Sequence, residues 1–123
     1  MAHVKTIVAA VMATGAILSA SPVFAHARLL ASTPVAKSVG AAPAALSVSF
    51  DDPLVKAFSK LTVVMPMGHQ SMAVPLATRF TNHNKTIVGT PRKALAKGSY
   101  ALNWTAATAD GHRTTGSVPF QVR

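Results

Sequence analysis

Along most of the chain, apolar and polar residues alternate with a period of two. Leu46, Val48 and Phe50 alternate with Ser47 and Ser49, and Val118, Phe120 and Val122 alternate with Pro119 and Gln121. In an extended chain every second side chain projects to the same face, so each run predicts a half-buried strand. Residues 61–65, 72–76, 86–90 and 99–107 read the same way, the last placing Tyr100, Leu102 and Trp104 on one face; with residues 27–31 opening the sheet, about seven strands are expected. Thr33-Pro34, Gly40, Asp52-Pro53, Pro66, residues 82–84, Lys97-Gly98 and Asp110-Gly111 punctuate these runs. Turn residues at such short intervals predict an all-β fold, a single Greek-key β-sandwich or barrel. The alanine-rich stretch 41–45 is not expected to be helical, because Pro43 lies in its middle.

The first residues follow a different pattern. Lys5 supplies a positive charge ahead of an apolar stretch from Ile7 to Leu18, and Ser21-Pro22-Val23-Phe24-Ala25 then sets small residues three before and one before the next bond. That is the layout of a secretory signal peptide cleaved after Ala25. An apolar run of about a dozen residues falls short of the roughly 20 needed to span a bilayer. Residues 1–25 are therefore expected to be removed, leaving a soluble 26–123 domain of 98 of the 123 residues, a length that suits one modest core.

Composition narrows the function further. The chain has no cysteine, so disulfides, the usual aid to a small exported domain, are excluded. Of its twelve Lys and Arg residues only Lys5 lies in the leader, against Asp51, Asp52 and Asp110 and no glutamate. The basic residues are scattered and form no run, which favours a solvated basic surface and no nucleic-acid partner.

Candidate chemistry concentrates in three places. Cleavage after Ala25 gives His26 a free α-amine, whose pKa near 7.7–8 lets a metal displace its proton at neutral pH. Amine and imidazole of one residue then chelate a single ion, supplying two nitrogens of the tetragonal set that Cu(II) prefers. In Asp110-Gly111-His112 an extended chain would point a carboxylate and an imidazole to one side, although Asp-Gly is also an ordinary turn dipeptide. Finally, of the five methionines Met1 and Met12 lie in the leader, and the other three, Met65, Met67 and Met72, fall within eight residues around His69. Thioethers are soft donors that select Cu(I). Pro66, Gly68 and Gln70 make this segment read as a loop, where methionine has little use as a core filler.

Taken in order, the His-initiated mature chain, Ser32-Thr33-Pro34, Phe50 followed by an acidic residue, the Met/His segment, the Trp104 strand, Asp110-Gly111-His112 and a closing Gly116-Ser117-Val118 strand resemble the CopC (PcoC) copper-resistance proteins of the bacterial periplasm. The resemblance covers essentially all of residues 26–123. It implies a cupredoxin-like or immunoglobulin-like β-barrel, periplasmic and monomeric, that carries or buffers copper for resistance and homeostasis and passes it to an inner-membrane partner of the CopD type. On matching positions, His26 and His112 would supply nitrogens and Asp110 an oxygen to Cu(II). Asp52 falls where the family commonly has an acidic residue, which implies a weaker ligand, and Met65, Met67, His69 and Met72 would hold Cu(I). The methionine segment is shorter than the fullest family pattern.

Carriage is the expected function and an enzyme is not, since no nucleophile paired with a general base stands out. Two alternatives remain open. An amino-terminal histidine with a second histidine is also the copper-holding brace of lytic polysaccharide monooxygenases, although one Trp and one Tyr offer little for a polymer-binding face. The other alternative is a metal-free structural sandwich.

Overall fold

The computed structural model describes residues 27–123; the expected leader and His26 lie outside them. Nine strands form two sheets: β1 (Leu29–Thr33), β2 (Ser38–Gly40), β3 (Leu46–Phe50), β4 (Lys60–Met67), β5 (Gln70–Val74), β6 (Leu76–Thr81), β7 (Thr86–Pro91), β8 (Gly98–Ala107) and β9 (Arg113–Val122). One sheet has the order β1-β3-β7-β6 and the other β2-β9-β8-β4-β5. The chain changes sheet between β1 and β2, β2 and β3, β3 and β4, β5 and β6, and β7 and β8, and all pairings are antiparallel except β2 with β9. The result is the expected all-β sandwich with Greek-key connections. The one helical segment among the described residues is a 3₁₀ turn at Lys56–Phe58, and residues 41–45 form no helix. No described helix is long and apolar enough to cross a membrane.

The core follows the period-two pattern directly. Leu46, Val48 and Phe50 of β3, Leu61 and Val63 of β4, Ile87 of β7, Tyr100 and Leu102 of β8, and Val118, Phe120 and Val122 of β9 are buried between the sheets. Tyr100 and Phe120 are cross-strand partners whose rings stack at 5.4 Å. Each buried side chain of this size contributes about 1.5–3 kcal/mol, which lets a domain without disulfides hold together.

Two strands more than expected are present. The expected 72–76 strand is split at Pro75: β5 ends at Val74 in one sheet, and β6 begins at Leu76 in the other. Alternation runs on across the corner, so the pattern alone does not reveal it, but Pro75 cannot donate to a ladder and the chain turns there. The second addition, β2, has three residues paired parallel to the end of β9, too short for a periodic signal. The strand β9 also begins earlier than expected, at Arg113, because its polar first half pairs with β8 as far as Ala107↔Arg113.

β8 joins the two ends of the sandwich that carry the candidate ligands. Its first residue, Gly98, lies beneath the methionine hairpin, where Met65 Cε would stand 3.0 Å from a Cβ added at Gly98. Its last residue, Ala107, leads into the Asp110-Gly111-His112 turn. Ten residues at about 3.3 Å each put these regions roughly 30 Å apart.

Candidate metal centre

The turn between β8 and β9 is organised by the Asp110 carboxylate. The Thr108 hydroxyl donates to Asp110 Oδ1 at 2.6 Å, and the His112 backbone N–H donates to the same oxygen at 3.1 Å. Asp110 Oδ2 lies 2.8 Å from His112 Nδ1. A carboxylate only accepts, so Nδ1 carries the proton and Nε2 is the nitrogen left to coordinate a metal. The backbone closes the same loop, with Thr108 N–H donating to His112 O at 3.0 Å and Gly111 N–H to Thr108 O at 2.9 Å.

Gly111 sits at φ 92°, in the left-handed region where a side chain would be strained. Asp110 and His112 therefore converge by a turn and not by strand geometry: the Asp-Gly turn and the paired carboxylate–imidazole are one and the same feature. Thr108 is 3% exposed, and its hydroxyl is the chief reason that the Asp110 carboxyl is held well below the usual carboxylate range, followed by the backbone and side-chain hydrogen bonds from His112.

Asp52 lies at this same end. Residues 50–55 are tied to it by Val55 N–H donating to Ala107 O at 2.8 Å and Asp51 N–H to Arg28 O at 3.1 Å, while Arg28 N–H donates to Asp51 Oδ1 at 2.8 Å. Asp52 is half-buried, but the structure does not bring it into a cluster with the other two: among the described residues no group of three or more His, Cys, Asp or Glu side chains is placed to hold a metal ion. The chain enters the domain at the same point. Ala27 is 4% exposed, and its carbonyl accepts from the Thr114 hydroxyl at 3.1 Å, two residues beyond His112.

Met65, Met67, His69 and Met72 lie at the far end, where the expected loop is in fact a β-hairpin. β4 runs through Met67, Gly68 at φ 64° and His69 make the turn, and β5 returns from Gln70. Met65 and Met72 are directly opposed, and Met67 faces Gln70, so all three sulfurs belong to one face of the hairpin. Met67 and Met72 are 51% and 54% exposed, whereas Met65 is half-buried and packs against the core. The core-filling role that the sequence argued against therefore holds for Met65 and not for the other two. His69 is exposed in the turn.

Residues 29–123 match the CopC domain family. The chain belongs to that family. A copper resistance protein C of Pseudomonas syringae pv. tomato is 42% identical over 103 residues, covering 80% of this chain and 82% of the relative. Among CopC-type structures, the crystal structure of PcoC, a methionine-rich copper resistance protein of Escherichia coli, superposes with a TM-score of 0.73 at 33% identity, covering 80% of this chain and all of PcoC. A CopC-like stretch also occurs within a longer protein: the copper transport protein CutJ of Bacillus subtilis is 31% identical over 100 residues, which make up 18% of its length. Family membership supports copper as the ion of this CopC protein and its two-sheet fold.

What sequence reasoning missed in this CopC domain is Thr108. A threonine two residues before an aspartate carries no pattern of its own, and only its burial beneath the turn gives its hydroxyl a partner.

Proposed function

We propose that this CopC protein is a periplasmic copper carrier, with its leader removed after Ala25, that binds Cu(II) through the amine and imidazole of His26 and through His112 Nε2. Asp110 contributes from beside His112 and Asp52 more weakly. One observation carries the proposal: the Thr114 hydroxyl holds the Ala27 carbonyl two residues from His112. Ala27 is the residue that follows His26 in the sequence, and its buried anchor beside the Asp110–His112 turn supports the reading of His26 as a ligand together with His112.

Asp110 acts first as the group that orients His112. Oδ1 accepts two hydrogen bonds and Oδ2 one, so the carboxylate retains little lone-pair capacity for a metal. A weak oxygen ligand on Oδ2 and a strong hold on the imidazole are the roles that fit, as for the carboxylate partners of metal-bound histidines.

At the other end, Met65, Met67 and Met72, with His69 in the turn, form a second site for Cu(I). The shared face of the three thioethers supports this, since soft donors select the reduced ion. A CopC-like domain within a protein named for copper transport supports a role in copper transfer; we take the recipient to be an inner-membrane partner of the CopD type and the domain to act as a monomer. Carriage, and not oxidation of a polymer, also suits the aromatic residues: Tyr100 is buried and Trp104 packs on the core, and Phe58 is the exposed aromatic among the described residues.

The decisive experiment retains one extra residue ahead of His26. The α-amine is then moved out of chelating position, and the Cu(II) electron paramagnetic spectrum should lose its nitrogen-rich character while Cu(I) competition titration is unchanged. An unaltered Cu(II) spectrum would overturn the assignment. Sustained oxygen consumption with copper, reductant and a polysaccharide would replace carriage with the monooxygenase reading.

A further inference from the structure

The acidic side chains of the domain are gathered at one end. Asp51, Asp52 and Asp110 all lie at the end where residues 50–55 meet Ala107. The methionine end carries no Asp or Glu side chain, and Arg92, Lys93, Lys97 and Arg123 gather there: the first two follow β7, Lys97 precedes Gly98, and Arg123 follows Val122, the partner of Gly98.

Between Arg92 and Lys93 and the methionine hairpin runs a groove of about 520 Å³. Its floor is Val74, Leu95 and Tyr100, its wall Met65 and Met72, and Arg92 and Lys93 stand at its rim. The floor is preformed, because the Tyr100 hydroxyl donates to Ala96 O at 2.6 Å and Arg92 N–H donates to Pro75 O at 3.2 Å. One side of the groove is β5, which is the edge strand of its sheet and exposed along most of its length.

We propose that this groove docks an acidic, methionine-bearing strand segment of the partner that exchanges Cu(I) with the hairpin; the proposal rests on the reading of Met65, Met67 and Met72 as a Cu(I) site. An extended segment laid along the edge of β5 alternates its side chains between two faces. One set enters the apolar slot beside Met65 and Met72, within reach of the sulfur donors, while carboxylates of the same segment meet Arg92, Lys93 and Lys97. The concave shape favours side chains over a bilayer surface, and no Asp or Glu side chain at this end repels an acidic partner.

The test uses the copper-free protein and a synthetic peptide of alternating Glu and Met. Calorimetry should give one-to-one binding that weakens with salt, and amide shifts should map to Met72, Val74, Leu95 and Tyr100. Arg92→Glu combined with Lys93→Glu should weaken binding about tenfold without changing the melting temperature, whereas Lys56→Glu with Lys60→Glu, at the opposite end, should leave it unchanged. The proposal is overturned if the peptide does not bind, if a peptide with Lys in place of Glu binds as well, or if the two charge-reversed pairs lose affinity equally. Stronger capture by phosphatidylglycerol vesicles, or self-association through the groove, also overturns it. Since copper is absent, a negative result beside a normal Cu(I) titration removes the docking surface alone, and the reverse pattern removes the Cu(I) site alone.

Discussion

The Thr108 hydroxyl donates to Asp110 Oδ1 at 2.6 Å from a position that is 3% exposed, so a buried donor fixes a carboxylate that is itself open to solvent. Through Asp110 Oδ2 the restraint passes to His112 Nδ1. Thr108→Val keeps the shape and removes the donor. It should lower Cu(II) affinity about tenfold, at the low end of the 10–100-fold range for groups that support a metal-bound histidine, and Thr108→Ser should restore it. Competition titration against a Cu(II) chelator measures both. Equal affinities in wild type and Thr108→Val would show that the hydroxyl does not position the site.

The same bonds make the turn sensitive to acid. The Asp110 carboxyl is held well below its ordinary value by Thr108 first and His112 next. A lowered folded-state pKa contributes stability that is complete above the unfolded value, about 3.9, and is lost as pH falls through the folded one. Metal-free protein should therefore begin to lose this contribution only below about pH 4, and Asp110→Asn should flatten that limb of the stability profile. Carboxyl chemical shifts followed from neutral pH downward provide the direct check, with Asp110 remaining ionised well below the usual carboxylate range.

Trp104 depends on Gly116 for its place. The two are cross-strand partners, and a Cβ at Gly116 would land on the indole ring. The indole also meets the Phe50 ring edge-on at 4.9 Å, and its Nε1 is the one buried side-chain nitrogen or oxygen without a hydrogen-bond partner among the described residues. Gly116→Ala should destabilise by about 1–3 kcal/mol, the usual cost of overfilling a packed region. Urea unfolding monitored by Trp104 emission reports the loss and any displacement of the indole together.

Within the methionine hairpin the three thioethers should separate by burial. Met67→Leu and Met72→Leu change exposed positions and should alter stability by no more than about 0.5 kcal/mol. Met65→Ala removes a side chain that packs on the core and lies over Gly98, and should cost about 1–3 kcal/mol, below the range for a fully buried methionine. All three should weaken Cu(I) binding. Paired thermal melts and Cu(I) competition distinguish the effects, and a Met72→Leu protein with full Cu(I) affinity would remove that sulfur from the site.

Much of this protein could be read from its sequence because the information is periodic or local. Alternation at Leu46, Val48 and Phe50 and at Val118, Phe120 and Val122 dictates which side chains must leave water, and burial of those faces follows whatever the order of the strands. The Asp110-Gly111-His112 tripeptide is likewise local, since carboxylate and imidazole lie two residues apart and meet across the Gly111 turn. Tertiary structure decided what depends on distant neighbours. Pro75 was a corner between sheets and not a flaw in one strand, because the core on each side claimed a different half of the run. Met65 became a core residue and Met67 and Met72 did not, because only Met65 reaches over Gly98. Ala27 acquired its place beside the Asp110–His112 turn through a partner at Thr114, 87 residues away along the chain. Alternation selects a face and composition selects a metal, but a contact between remote residues exists only once the two sheets have packed.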